Sequence, residues 1–323
     1  MRISTRSILA GTAGVLFSLA FSKGARAQTT APPAWTNATA TGLGSEVQGG
    51  MAVDAAGNTY EAGNFTGSLL IGTTQLISVG NSDGYLAKYA PNGVLLWVRQ
   101  LGSAGRDRAY EVAVDAAGNA YVSGYFGGSL TLGNGVSLTA PANGTTNNWL
   151  FVARYSSEGT AEWAQQASAP ETASSIGSSI GVDAQGHVYL AGMFTSSLTV
   201  GSLSISAPPY TQRTGTFLAR ISTTTGAVQA LTPTYFYAAG NTQFTFLPRL
   251  AVSADGAAYL LNFFNLDIVL PDASRTTIVS RGSTDEIIFK YSPAGTVEWV
   301  EQIGGSGKTG PTTQPWMRPA TCT

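Results

Sequence analysis

Few side chains in this sequence are equipped for chemistry. There is one histidine, His187, and one cysteine, Cys322. Together they cannot build a His- or Cys-based zinc site, and a lone cysteine closes no internal disulfide. A catalytic histidine also needs an orienting carboxylate and a nucleophile, and no such signature surrounds His187. The acid pairs Glu158/Glu162 and Asp285/Glu286 are the candidates for glycoside chemistry, but their spacing fixes no distance between carboxylates. Both lie beside turns, so they are expected on solvated surface. Asp54, Asp115 and Asp183 recur, each alone in its loop, without the several oxygen ligands calcium requires; turn capping is the expected role. Lys88, Arg154, Arg220 and Lys290 recur in a strand. They can ring a channel and attract an anion, or stack on the following tyrosine or pair with a nearby carboxylate; the second use is expected. The remaining candidates are Tyr210, Arg213, Tyr235, Tyr237 and Arg249, in the irregular stretch 205–250. They offer an aromatic platform for a sugar ring or peptide, against a plainer reading as local repacking. No catalytic, cofactor-binding or metal-ligating residue is assigned.

What must position these groups is a repeated β-unit. Ala52-Val-Asp54-Ala-Ala-Gly57-Asn58-Thr-Tyr60 returns as Ala113-Val-Asp115-Ala-Ala-Gly118-Asn119-Ala-Tyr121. It returns again as Gly181-Val-Asp183-Ala-Gln-Gly186-His187-Val-Tyr189, and more loosely as Ala251 to Tyr259. His187 therefore stands at the turn position of Asn58 and Asn119. Asp54, Asp115, Asp183 and Ser253 are spaced by 61, 68 and 70 residues. A second block follows each copy, running from Asp83 through Lys88 to Trp97, with closing tryptophans at Trp163 and Trp299. Gly57, Gly118 and Gly186 supply the positive φ of a hairpin turn whose aspartate caps the loop amides. The tryptophans are expected to pack in the core or between units. Each unit reads as four strands plus a short extra hairpin, here Leu69–Ile71 with Leu76–Val79. No segment holds a sustained 3.6-residue apolar period. The expected fold is all-β: a β-propeller of about four blades, each of four strands and about 65 residues, as an incomplete ring or arc. A β-helix or solenoid is the runner-up.

Val-Asp-Ala-Ala-Gly-Asn-x-Tyr followed by Ala-Lys-Tyr-x-Pro-x-Gly-x-x-x-Trp resembles the SBBP repeat of bacterial exported β-propeller proteins. The resemblance spans residues 46–305. The third copy loses the closing aromatics (Ile221, Ala230), and the fourth loses the Asp and Asn of its turn. The resemblance implies a secreted propeller without shared catalytic residues, and it names no substrate.

The ends differ in texture. Arg2 and Arg6, the apolar run Ile8 to Phe21 and Ala25-Arg26-Ala27 form a cleavable signal over residues 1–27. The repeats then occupy 28–307, at 46–102, 105–168, 174–232 and 244–305, preceded by a stray closing strand at 34–44. Trp35 of that strand aligns with Trp97 and is expected to close a ring whose last blade is missing. After Gly307 the pattern stops. Trp316 and Met317 have single codons, and the overlapping frame across them encodes Asp, flanked by triplets that permit Val-Asp-Ala-Ala-Gly-Asn-Val-Tyr. Residues 308–323 are thus expected to be an out-of-frame tail, with Trp316 and Cys322 outside the selected sequence.

Charge sharpens the class. The whole chain carries 17 basic and 18 acidic residues, but residues 28–307 hold 11 and 18, a net charge of −7. That balance offers no basic stripe for nucleic acid, and no segment after the signal is long and apolar enough to span a bilayer. The expectation is a non-enzymatic exported repeat protein, extracellular or at the outer-membrane surface or periplasmic. It would bind a protein or glycan and need no cofactor. The alternative is a propeller-fold enzyme acting on glycans or using a quinone.

Overall fold

The computed structural model describes residues 46–140, 149–168, 175–209, 211–238, 247–282, 284–304 and 311–312. The expected signal segment at 1–27, the expected closing strand at 34–44, Tyr210 and nearly all of the expected tail at 308–323 lie outside these residues. The described residues all belong to the unit that runs from Trp35 onward.

Four antiparallel sheets follow one another along the chain. The first holds β1 (Glu46–Val53), β2 (Thr59–Phe65), β5 (Asp83–Tyr89) and β6 (Leu95–Leu101), in that order, with a separate hairpin of β3 (Ser68–Ile71) and β4 (Thr74–Ile77). The second repeats the plan with β7 (Arg108–Val114), β8 (Ala120–Phe126), β11 (Trp149–Tyr155) and β12 (Ala161–Ser168), and the hairpin β9 (Ser129–Gly133) and β10 (Val136–Thr139). The third uses β13 (Ser175–Val182), β14 (His187–Thr195), β17 (Thr211–Ser222) and β18 (Val228–Ala238), with β15 (Ser197–Val200) and β16 (Leu203–Ser206). The fourth uses β19 (Arg249–Val252), β20 (Ala258–Phe264), β23 (Asp285–Tyr291) and β24 (Val297–Ile303), with β21 (Ile268–Val269) and β22 (Thr277–Ile278). A short β25 (Pro311–Thr312) pairs with the outer edge of β24. Among the described residues there is no helix. The first strands lie against one another, β1 on β7, β7 on β13 and β13 on β19. These are four propeller blades with the first strand innermost, and the ring they trace is not closed.

The blade 1 hairpin packs on its own sheet, through Leu69, Ile71 and Leu76 against Tyr85 and Val98, but the extra hairpins of blades 2, 3 and 4 reach the blade before. In the second blade Thr131 of β9 bridges to Gly102, just past β6. In the third, β15 pairs with β12 through Val200–Ala167 and Thr199–Ser168. In the fourth, β21 pairs with β18 through Val269–Phe236 and Ile268–Tyr237. These three hairpins thus cover the outer edge of the preceding blade, where bare amides and carbonyls would invite other strands.

Apolar packing is likewise arranged between blades. Tyr60, Ala62, Leu86 and Trp97 of blade 1 share one core with Val122, Phe151, Ala153 and Tyr155 of blade 2. Tyr121, Val152 and Trp163 of blade 2 meet Leu190, Phe217 and Ile221 of blade 3. Tyr189, Ala191 and Leu218 of blade 3 meet Leu260, Phe289 and Tyr291 of blade 4. Burying each such large side chain contributes about 1.5–3 kcal/mol, so the blades hold one another in place.

Candidate functional site

The recurring turn is a self-satisfied cap. The Asp54 carboxylate accepts the amides of Ala56 and Asn58 at 2.9 Å each and the Asn58 side-chain amide at 2.7 Å. Asp115 accepts Ala117, Asn119 and the Asn119 side chain, each at 2.9 Å. Asp183 accepts Gln185 and His187 amides at 2.8 Å, and His187 Nδ1 lies 2.8 Å from its other oxygen. The structure therefore gives His187 a carboxylate, but one already committed to the turn. Burial pushes the Asp54 carboxyl up, and the Asn58 side chain with the amides of Asn58 and Ala56 more than offsets this, leaving it below the usual value. Gly57, Gly118 and Gly186 sit at φ 84°, 80° and 91°, in the left-handed region that only glycine enters without strain.

The recurring cations and tryptophans converge on one backbone oxygen of the next blade. Lys88 Nζ and Trp97 Nε1 both donate to the Ser157 carbonyl at 3.0 Å. Arg154 and Trp163 Nε1 both donate to the Thr223 carbonyl, at 3.0 and 2.8 Å. Arg220 donates to the Pro293 carbonyl. The tyrosine of the turn motif adds another stitch: the Tyr60 hydroxyl donates to Gly118 O at 2.7 Å and the Tyr189 hydroxyl to Gly256 O at 3.0 Å. Lys88 also lies 4.9 Å above the Tyr60 ring and 3.9 Å from Asp54, while Arg154 and Lys290 pair with Glu162 and Glu298 at 3.0 and 2.7 Å. Stacking and pairing are as expected, with one correction. The ring beneath Lys88 is Tyr60, its register partner on the neighbouring strand, and not the following Tyr89. The donation to the next blade leaves no trace in the sequence, because a carbonyl acceptor is not marked by residue type.

The other candidates disperse. Tyr235 and Tyr237 are 0% and 2% exposed; they pack edge to face in the core shared by blades 3 and 4, with Tyr235 stacked on Phe289 at 6.0 Å. They therefore form no exposed aromatic platform. β18 runs on to Ala238, past the expected boundary at 232, and these rings fill the space between blades. Arg213 falls in β17. Glu162 neutralises Arg154, and Glu158 accepts from the Ser157 hydroxyl. Asp285 is a correction: it is buried, not solvated, and accepts the Arg281 amide and the Gln302 side chain at 2.5 and 3.2 Å. Among the described residues no cluster of His, Cys, Asp and Glu is arranged to hold a metal.

Arg249 is the exception. It lies exposed on the innermost strand β19, in the repeat position of Gly50, Glu111 and Ser179. Bulges in β1, β7 and β13 interrupt the register at this position, and a bulge re-aims the side chain it carries. Glu111 accepts the Ile180 amide at 2.9 Å, and the Ser179 hydroxyl accepts the Leu250 amide at 3.0 Å. A polar row thus links the inner strands of blades 2, 3 and 4. The repeat register contained this signal, since these residues stand at one spacing from their turn motifs.

Glu111 gives the row a pH dependence. Burial raises its carboxyl above the ordinary 4.5, although the Ser179 and Ile180 bonds and the charge of Arg249 pull it down. A folded-state value above the unfolded one means that the folded chain binds the proton more tightly. That stabilisation is fully present below the unfolded value and is lost as pH rises through the folded one. Glu111→Gln is expected to flatten the fall of melting temperature with pH just above 4.5. Thermal denaturation of both proteins across that range measures the difference in slope.

Residues 96–125 match the SBBP beta-propeller repeat; this segment runs from β6 through the whole of β7 into β8. Over 130 residues the chain is 32% identical to an uncharacterized WD repeat-containing protein of Acanthamoeba polyphaga mimivirus, covering 35% of this chain and 9% of that protein. The chain thus spans a small part of that relative. Among solved structures, virginiamycin B lyase from Staphylococcus aureus aligns over 86% of this chain and 89% of its own, with 8% identity and a TM-score of 0.29, a likeness too low to bear on function.

Proposed function

We propose that this chain of SBBP-type β-propeller repeats is an exported, non-enzymatic binding or scaffold module acting outside the cytoplasm. The observation that carries this reading is the fate of the recurring polar groups. The turn aspartates cap their own loops, and the strand cations and tryptophan N–H groups are spent on carbonyls of the adjacent blade. Catalysis needs groups held in reserve for a substrate, and here the repeated ones are consumed in joining blades. The acidic repeat region and the signal-like start are consistent with an extracytoplasmic setting. The surface offered to a ligand is the inner end of the blades around Arg249, whose exposed guanidinium suits a carboxylate of a peptide or an acidic sugar.

A glycan and peptide array probed with the folded protein is the direct test. Retention of acidic glycans or peptides, reduced by Arg249→Ala, is the expected result. Turnover of a chromogenic glycoside that survives further purification would replace the binding-module reading with a propeller-fold enzyme.

A further inference from the structure

The first and last described blades carry the two unmatched halves of one interface. On blade 4 the outward face presents Tyr259, Leu261, Ile288, Lys290 and Trp299, all half-buried. Their equivalents inside the stack are covered: Tyr60 and Tyr121 are wholly buried, as are Ala62 and Ala191, and Trp97 and Trp163 are 9% and 8% exposed. Lys290 lies 5.8 Å above Tyr259, and Trp299 packs against the same ring at 6.2 Å. Among the described residues no carbonyl receives the Trp299 N–H.

Blade 1 presents the reciprocal half. Met51 on β1 is 63% exposed, whereas Val112 and Ile180 at the same repeat position are 4% and 5% exposed beneath the preceding blade. Val53, two residues further along β1, and Val94, in the turn between β5 and β6, are exposed as well. The turn of blade 1 contains Gly93 at φ 82°. A Cβ there would meet nothing within 4 Å, whereas at the equivalent Gly159 and Gly226 it would lie 2.7 and 2.8 Å from the rings of Trp97 and Trp163. The carbonyl matching Ser157 and Thr223 is that of Pro91. Glu61 adds a carboxylate to this face, at a position held by buried Val122, Leu190 and Leu260 in the other blades. It accepts the hydroxyls of Tyr85 and Tyr89 at 3.0 and 3.2 Å, and its sign is opposite to that of Lys290.

We infer that the Trp299 face of blade 4 docks on the Gly93 turn of blade 1 in a second copy of the chain, head to tail. The occupant follows from continuity with an interface the chain already makes at its three blade junctions, with the tryptophan on the turn at the first two. Trp299 and Lys290 would donate to the Pro91 carbonyl, the Tyr259 hydroxyl to Gly57 O, and the indole would lie on Gly93. β25 already pairs with Gln302 and Ile303 at the rim, so the docking surface is the Trp299 face inboard of that edge. A head-to-tail contact either closes a ring of copies or propagates.

Sedimentation velocity over a concentration series, with the full chain, tests this. The parent is expected to grow in mass with concentration. Gly93→Asn, a residue that tolerates positive φ, should raise the apparent dissociation constant about tenfold or more with circular dichroism and melting temperature unchanged. Trp299→Ala should weaken association as strongly from the other face, with circular dichroism unchanged and only the smaller loss of monomer stability that a half-buried ring carries. Mixed one to one, the two variants each retain the half the other lacks, so they should form a dimer and stop there. A parent that stays monomeric overturns the inference, and the occupant is then the segment before residue 46 or another protein. Variants that associate as the parent does, or a mixture that fails to pair, overturn it equally.

Discussion

Trp163→Ala is expected to destabilise the folded chain by about 3–5 kcal/mol, the range for removing a large buried aromatic from a packed site. Three losses coincide. The indole is buried against Gly226 and stands 6.1 Å from Tyr121 in the core between blades 2 and 3. Its N–H donates to the Thr223 carbonyl at 2.8 Å, an oxygen shared with Arg154. Removing the ring also uncovers the glycine turn beneath it. Trp299→Ala provides the internal comparison. That ring is half-buried and has no following turn to rest on among the described residues, so its removal should cost a monomer no more than about half as much. Denaturant unfolding of both variants, at a concentration where the parent is monomeric, measures the difference. Equal losses would mean that the tryptophan acts within its own blade rather than between blades.

The blade plan was legible because two local signals repeat in step. An aspartate and a glycine at fixed spacing define the hairpin between the first and second strands, and a lysine or arginine followed by tryptophan marks the third and fourth. Both are short-range: Asp54 caps amides at two and four residues' distance, and the Lys88–Trp97 register is set by one turn. What the residues alone did not reveal is contact across blades. The docking of β15 on β12, or of Thr131 on Gly102, depends on how far each hairpin swings out of its sheet, and strand composition does not encode that. Tyr235 and Tyr237 were open to misreading for a related reason. Their stretch departs from the repeat, which marks binding loops and repacked cores alike. Blade 3 has Ala230 where its relatives have tryptophan, and extending β18 brings the three aromatics Tyr235, Phe236 and Tyr237 inward.

Arg249 shows how a site signal can lie in the register without being read. Aligned by their turn motifs, Gly50, Glu111, Ser179 and Arg249 share one position, but the bulge that turns this position toward the next blade is a backbone event. Glu111 and Ser179 use it to accept an amide of the following inner strand. Arg249 has no acceptor oxygen and cannot do so. The position is structural in blades 2 and 3, and in blade 4 the same repeat position, the first residue of β19, presents a cation to solvent.

Gly159→Ala is the second substitution with a large expected effect, and Gly93→Ala is its control. Both glycines occupy the turn between the third and fourth strands, at φ 75° and 82°. Each replacement therefore incurs the same left-handed strain, about 1–2 kcal/mol. Only Gly159 bears a neighbour's ring: its added methyl would lie 2.7 Å from Trp97 Cδ2 and 3.0 Å from Cε2, while the methyl at Gly93 meets nothing within 4 Å. Trp97 cannot yield without breaking its bond to the Ser157 carbonyl and its edge contact with Tyr60 at 5.9 Å. Arg99, which lies over the indole and donates to Gly159 O at 2.7 Å, would move with it. Overpacking of this kind adds about 1–3 kcal/mol, so Gly159→Ala should cost that much more than Gly93→Ala in the monomer. Chemical denaturation of the two variants beside the parent reads the increment directly. A matching loss at both sites would show that the turn's backbone alone sets the cost and that the indole of blade 1 does not rest on blade 2.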